Sequence, residues 1–314
     1  MGVENLRDKL GEVRDTLSRY IVGNESLINL LLVAAASGGH ILVDGPPGAG
    51  KTVTLKLFAR LIGGVFKRIQ MTADTLPSDL LGTFYYDIAK SSWIFREGPI
   101  FANIVLIDEV SRAPPRTLSA LLEVMQERQA TIEGYTKETP KPFLVVATKA
   151  LRGEEGVYPL PFYVIDRFAY NHSVGYLSPK EESEILVRAD YIEEANPNPI
   201  MSPEEVSKLQ AMVRGSVYVS DKVRDYIVNL VNYIRGREEV LFKLSPRASI
   251  WLMRGSRVLA FLEGLDYVAP DHVKALAYHV LRHRVILKRE YELEGVTADD
   301  IIGTALKEVE VPKL

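Results

Sequence analysis

Gly45-Pro46-Pro47-Gly48-Ala49-Gly50-Lys51-Thr52 has the spacing G-x-x-x-x-G-K-[ST] and falls between the apolar run Ile41-Leu42-Val43-Asp44 and a helical stretch. Glycines at those positions let the backbone curl until successive N–H groups point inward. There they and the positive end of the following helix attract phosphate oxygens. Lys51 would then reach the outer phosphates and Thr52 would offer its hydroxyl to Mg2+, with Pro47, Gly48, Ala49, Gly50 and Val53 completing the cradle. A second apolar run, Ile104-Val105-Leu106-Ile107, ends in two adjacent carboxylates, Asp108 and Glu109. Neighbouring side chains on a strand diverge, so the two acids should have different tasks. Asp108 would hold hydrated Mg2+ together with Thr52, and Glu109 would orient and polarise an attacking water.

The two motifs can meet only if their apolar runs lie side by side in a parallel sheet, which gathers ligands at the carboxyl ends of its strands. Short continuous apolar runs read as strands buried on both faces, and a third, Phe143-Leu144-Val145-Val146-Ala147, follows the same pattern with helical stretches between. The expected fold class is therefore α/β, a three-layer αβα core with a parallel sheet over residues 1–176. An all-helical domain over 177–314 should follow. In that second part Val223, Tyr226, Ile227, Leu230, Val231 and Ile234 form one apolar stripe, and Val273, Leu276, Val280 and Leu281 another. Ser178 and Ser202, each followed by Pro and acids, read as helix caps. Residues 76–98 carry Pro77, Gly82 and a crowd of aromatics, Phe84, Tyr85, Tyr86, Trp93 and Phe95, and read as an inserted hairpin or loop.

A chain of 314 residues has room for two such domains, and 47% hydrophobic with 25% charged residues excludes a disordered or fibrous protein. Basic and acidic residues number 38 and 41, so a polyanion-coating role is not expected. Lys137, Lys141, Lys149 and Arg152 lack an array of stacking aromatics, and no nucleic-acid partner is expected from them. There is no cysteine, which removes disulfides, thiolate metal sites and thiol catalysis together. The start of the chain does not read as a secretory signal, and the apolar stretch Leu30 to Ala36 is too short to cross a bilayer, so no membrane span is expected and the location should be cytoplasmic.

The phosphate loop and Ile107-Asp108-Glu109, together with Ser111-Arg112-Ala113-Pro114-Pro115, Met125-Gln126-Glu127-Arg128 and Asp166-Arg167-Phe168, resemble the MoxR family of AAA+ ATPases. Leu76 to Gly82, Gly98-Pro99-Ile100-Phe101, Tyr158-Pro159-Leu160-Pro161, Leu244-Ser245-Pro246-Arg247-Ala248 and Val280 to Arg284 extend the resemblance over nearly the whole chain. It implies ATP and Mg2+ as cofactors, a helical lid, a homo-oligomeric ring, usually of six subunits, and chaperone-like remodelling of client proteins. A partner carrying a von Willebrand factor A domain often accompanies the family. The resemblance further implies that Arg167 is an arginine finger for a neighbour's γ-phosphate. It implies that Arg247 is a lid sensor for the nucleotide of its own subunit, and that Ile21-Val22-Gly23 packs on adenine.

One departure bears on turnover. The family usually has Ala-Thr-Gln-Asn-Pro at the end of the third strand, where this chain has Ala147-Thr148-Lys149-Ala150-Leu151, so the amide that places the lytic water is absent. That departure supports one alternative to an ATP-driven remodelling motor, an ATP-gated assembly module with little turnover; a nucleic-acid-directed motor on the same core is another. His279 and His283 stand at i, i+4 but lack a third ligand nearby, and are expected on a helix surface. The aromatics of 84–95 are expected either to touch clients or to fold under the core as a plug.

Overall fold

The computed structural model describes residues 2–46, 48–149 and 159–313. Helices α1 (Val3–Tyr20) and α2 (Glu25–Ser37) precede strand β1 (Ile41–Asp44), and α3 (Lys51–Leu61) follows the glycine-rich loop. Next come β2 (Phe66–Gln70), the short α4 (Pro77–Leu81), a hairpin of β3 (Gly82–Asp87) and β4 (Ser92–Glu97), then β5 (Ile104–Asp108) and α5 (Pro115–Glu127). A second hairpin, β6 (Gln129–Ile132) and β7 (Tyr135–Glu138), leads to β8 (Leu144–Thr148), α6 (Phe162–Ile165) and β9 (Tyr170–Ser173).

Strands β2-β5-β8-β1-β9 form one sheet in that order, with every neighbouring pair parallel. The sequence pattern explains who sits in the middle. Ile41, Val43, Ile104, Leu106, Leu144 and Val146 face one way and pack with α2 and α3, while Leu42, Val105, Ile107, Val145 and Ala147 face the other way onto α5. Strand β2, Phe-Lys-Arg-Ile-Gln, lies at the edge and is half exposed. That is why its apolar pattern is weak in the sequence.

The rest of the chain is helical: α7 (Pro179–Glu193), α8 (Pro203–Ser216), α9 (Asp221–Arg235), α10 (Pro246–Leu262), α11 (Pro270–Leu281), α12 (Arg289–Leu293) and α13 (Ala298–Glu308). Ser178 and Ser202 cap α7 and α8 as expected, each hydroxyl accepting from the backbone N–H three residues on. Both apolar stripes are buried, and α8 and α10 pack on α2 within a single apolar cluster that runs from the core into the helical part. Among the described residues no helix is long and apolar enough to cross a membrane.

The aromatic segment is a hairpin. A close backbone approach requires glycine at its base: Gly82 has φ +93°, and a Cβ there would sit 2.1 Å from the Arg96 carbonyl oxygen. Its inner rings Phe84 and Phe95 pack with Tyr135 of the second hairpin at centroid distances of 5.9 and 5.6 Å. The outer half, with Tyr86, Ile88 and Trp93, is exposed, Ile88 to 85%. The segment is thus plug at the base and open surface at the tip.

Candidate functional site

Strand β1 feeds straight into the glycine-rich loop, where Gly48 and Gly50 take φ of +81° and +72°, conformations other residues adopt only with strain. Lys51 and Thr52 open α3, so their side chains and the helix's free N–H groups share one end. The Lys51 ammonium donates to the carbonyls of Gly45 and Pro46, each at 3.0 Å. Burial lowers its pKa, opposed by the nearby Asp108 and Asp44 carboxylates. Asn24 Nδ2 donates to the Ala49 carbonyl at 3.1 Å, which fastens the preceding turn to the loop. Ile21 and Val22 are buried in that turn and Gly23 has φ +74°. The structure therefore brings Ile21-Val22-Gly23 to the phosphate loop, whereas Pro47 lies outside the described residues.

Asp108 ends β5 and is separated from β1 by β8 alone. Thr148, at the end of β8, bridges the two acids: its hydroxyl donates to Asp108 Oδ1 at 3.2 Å and accepts from the Glu109 N–H at 2.9 Å. Glu109 leaves the strand in a left-handed turn, φ +54°, which swings its side chain away from that of Asp108. Its carboxylate accepts from Arg112 Nε at 2.7 Å and Gln70 Nε2 at 3.0 Å, while Asp108 Oδ2 accepts from Arg68 Nε at 2.5 Å. On the other side Asp44, just before the loop, pairs with Lys149 at 2.8 Å and accepts from Asn171 Nδ2 at 2.9 Å. Among the described residues no three His, Asp or Glu gather as metal ligands. One hydroxyl, Thr52, and one carboxylate, Asp108, suit a Mg2+ ion that takes its remaining oxygens from water and phosphate, and would not suffice for an ion held by protein alone.

Arg167 and Arg247 stand elsewhere. Arg167 precedes β9, which runs parallel to β1, so it lies at the amino-terminal edge of the sheet, opposite the loop. Burial and then the adjacent Arg247 lower its pKa, and its Nη1 is shielded from solvent with no hydrogen-bond partner among the described residues. Arg247, at the start of α10, donates to Asp166 Oδ2 at 3.1 Å. The same buried carboxylate accepts from Ser245 Oγ at 2.8 Å and from the fully buried Arg284 at 3.0 Å, a pin between α10 and the core. The structure thus places Arg247 beside Arg167 and not beside its own chain's phosphate loop.

Two expectations need correction or closure. His279 and His283 are not surface groups: they donate to the backbone carbonyls of Asn171 and Phe168, each at 3.0 Å, and burial holds both pKa values down. Ala150, Leu151, Arg152 and Tyr158 lie outside the described residues. Asn24, Arg68 and Gln70 are site residues that the sequence reading missed. Arg68 and Gln70 alternate on the weakly patterned edge strand, and Asn24 belongs to a turn far from either motif.

A model of the ATPase family associated with various cellular activities (AAA) matches residues 40–170, and a model of the AAA lid domain matches residues 233–305. The chain is 39% identical to Chaperone MoxR1 of Mycobacterium tuberculosis, with 95% of this chain and 81% of that one covered. It is 38% identical to an uncharacterized Bacillus subtilis protein, YeaC, over 98% and 97% of the two chains, and 25% identical to Protein MoxR of Methylorubrum extorquens over 98% and 96%. The crystal structure of a candidate ATPase from Cytophaga hutchinsonii superposes with a TM-score of 0.93 at 38% identity, covering 99% of this chain and 97% of that one.

Proposed function

The chain belongs to the MoxR family of AAA+ ATPases, and from that premise we propose that it is a cytoplasmic, Mg2+-dependent ATP hydrolase. It would work as a homo-oligomeric ring, of six subunits in the family's usual form, and remodel client proteins. The observation that supports this best is the division of its groups between opposite edges of one sheet. Gly45–Thr52, Asp108 and Glu109 share the carboxyl edge, while Arg167 and Arg247 share the amino edge. Four strand residues at about 3.3 Å each separate the edges by roughly 13 Å, too far for either arginine to touch its own subunit's nucleotide. That distance supports the reading in which both are offered to a neighbour and hydrolysis needs the ring. In Arg247 this replaces a contact within its own subunit.

Thr52 and Asp108 would hold Mg2+, which supplies positive charge to neutralise the phosphate chain. Lys51 exchanges its bonds to the Gly45 and Pro46 carbonyls for phosphate oxygens. Glu109 accepts the proton of the water that attacks the terminal phosphorus, while the bond to the bridging oxygen breaks and ADP leaves. The exposed tip of the first hairpin is where a client protein would touch. A partner with a von Willebrand factor A domain is consistent with the family but has no counterpart in the geometry. A second reading, nucleotide-gated assembly with little turnover, is favoured by Ala150 in the sequence and by the pairing of Glu109 with Arg112 and of Asp108 with Arg68. Calorimetry and phosphate release together decide. Lys51→Ala should abolish ATP binding, and Glu109→Gln should bind ATP with parent affinity and release no phosphate. A Lys51→Ala protein with unchanged affinity refutes the site, and a parent that binds without turnover selects the second reading.

A further inference from the structure

The amino edge of the sheet carries more positive charge than two arginines for a neighbour would need. A cavity of about 510 Å³ opens there between α5, α8 and α10, lined by Arg128, Arg167, Arg214, Arg247, Arg254 and Lys141 but by no carboxylate. The cations fall into two sets. Arg247 is the like charge that acts on Arg167 and is itself paired with Asp166. Arg128, Arg214 and Arg254 act on one another and have no acid partner among the described residues.

These three come from different elements by specific local structure. Arg128 closes α5 in a left-handed conformation, φ +59°, and is anchored by donating to the carbonyls of Phe143 and Gly38. Arg254 of α10 lies over the Trp251 ring at 5.1 Å, and Arg214 is the exposed last-turn arginine of α8. Neither Arg214 nor Arg254 makes an ion pair or a hydrogen bond to any described residue. Burial and the two other arginines push Arg128 down to about 10, the mark of guanidiniums that repel one another. In a chain with 38 basic and 41 acidic residues, three converging guanidiniums without one carboxylate are a local imbalance that an anion would relieve. Planar guanidinium forks match the paired oxygens of phosphate, and the space is concave and ligand-sized, unlike a flat protein interface.

We propose that Arg128, Arg214 and Arg254 form a second anion site, distinct from the glycine-rich loop, that takes a small phosphate-bearing anion of di- or triphosphate size. Trp251 provides a reporter. The chain has two tryptophans, so Trp93→Phe leaves Trp251 alone, and Lys51→Ala removes the phosphate loop from the titration. In that doubly substituted protein, sodium tripolyphosphate should change Trp251 emission saturably and release heat in calorimetry, with affinity falling as salt rises. Arg214→Gln and Arg254→Gln should each weaken binding about ten- to hundred-fold, the loss expected for one hydrogen bond to a charged group. Arg214 is exposed, so its variant tests the site without disturbing the fold. ATP binding as tightly as tripolyphosphate identifies the phosphate chain as what is recognised, and tighter ATP binding that still needs Arg214 identifies a nucleotide as the source. An absence of saturable heat and emission change, or affinity untouched by both substitutions, overturns the proposal. So does binding of an oligoglutamate peptide with no response to tripolyphosphate, which would assign the cleft to an acidic segment of another chain.

Discussion

Mild acid should destabilise this protein, and His40 gives the clearest measure of it. The ring is fully enclosed where α5 meets the start of β1; Nε2 donates to the Met125 carbonyl at 3.1 Å and Nδ1 accepts from the Val145 N–H at 3.0 Å. Those partners fix a neutral ring with its proton on Nε2. Burial, and then Arg128, lower the pKa from 6.5 to about 3. A depressed histidine means the unfolded chain binds the extra proton, so the contribution is complete above pH 6.5 and drains away as pH falls toward 3. One pKa unit is worth about 1.4 kcal/mol, so His40 alone should cost about 2 kcal/mol between pH 6.5 and 5. Glutamine can donate and accept as the neutral ring does and does not titrate. Urea unfolding of the parent and of His40→Gln at half-unit steps from pH 7.5 to 5 should show the two stabilities converging by about 2 kcal/mol. Parallel curves over that range would refute the buried neutral assignment. His172, held down to about 4 by burial and His279, adds to the parent's slope but is common to both proteins.

Three further outcomes follow from the site. Mixing Arg167→Ala subunits with Lys51→Ala subunits should restore phosphate release that neither shows alone, because one supplies an intact loop and the other the arginine; no recovery in a mixture shown to co-assemble would make Arg167 structural. An arginine finger is worth about 10³ to 10⁵ in rate, so the recovery is well within reach of a phosphate assay. Ala150→Asn should raise steady-state turnover at saturating ATP, by at most the two to three decades that one positioned hydrogen bond contributes at a reacting oxygen; an unchanged rate would show that this position is not limiting. Replacing Tyr86, Ile88 and Trp93 with Ser should lower turnover stimulated by an unfolded protein such as casein while leaving Tm in place, whereas Phe84→Ala should lower Tm; the reverse pattern would make the tip a structural element.

What could be read in advance was set by how each group is held. The phosphate loop and Asp108-Glu109 were legible because their chemistry needs particular residue types next to buried, all-apolar strands, and such strands announce themselves. The apolar stripes of α9 and α11 were legible because a helix buries every third or fourth residue. Strand β2 was not, since an edge strand with one half-buried face carries Lys67, Arg68 and Gln70 among few apolar residues. With it went Arg68 and Gln70, the edge-strand partners of Asp108 and Glu109. His279 and His283 were misplaced for a related reason: α11, which carries His279, packs on the edge strand β9, His283 sits in the turn after it, and the hydrogen bonds of both go to backbone carbonyls, which no side-chain pattern reveals. Arg247 is a matter of geometry alone, because only the placement of α10 at the amino edge distinguishes a contact within a subunit from one across subunits.

The apolar cluster that joins α2 to α8 and α10 has mechanical weight. A hinge between nucleotide-binding core and lid would have to part Leu30 and Leu31 from Val206, Leu209, Ala248 and Leu252, all buried to within 3% exposure. At about 1.5–3 kcal/mol for each large side chain re-exposed, that opening would cost much of what one ATP could deliver. The Asp166 pin, with Arg247, Ser245 and Arg284 upon it, adds to the stiffness. In the proposed ring each subunit would therefore be a lever without a joint of its own. A stroke driven at the carboxyl edge of its sheet would pass whole to the amino edge, and the compliance of such a ring would reside in the seams between subunits.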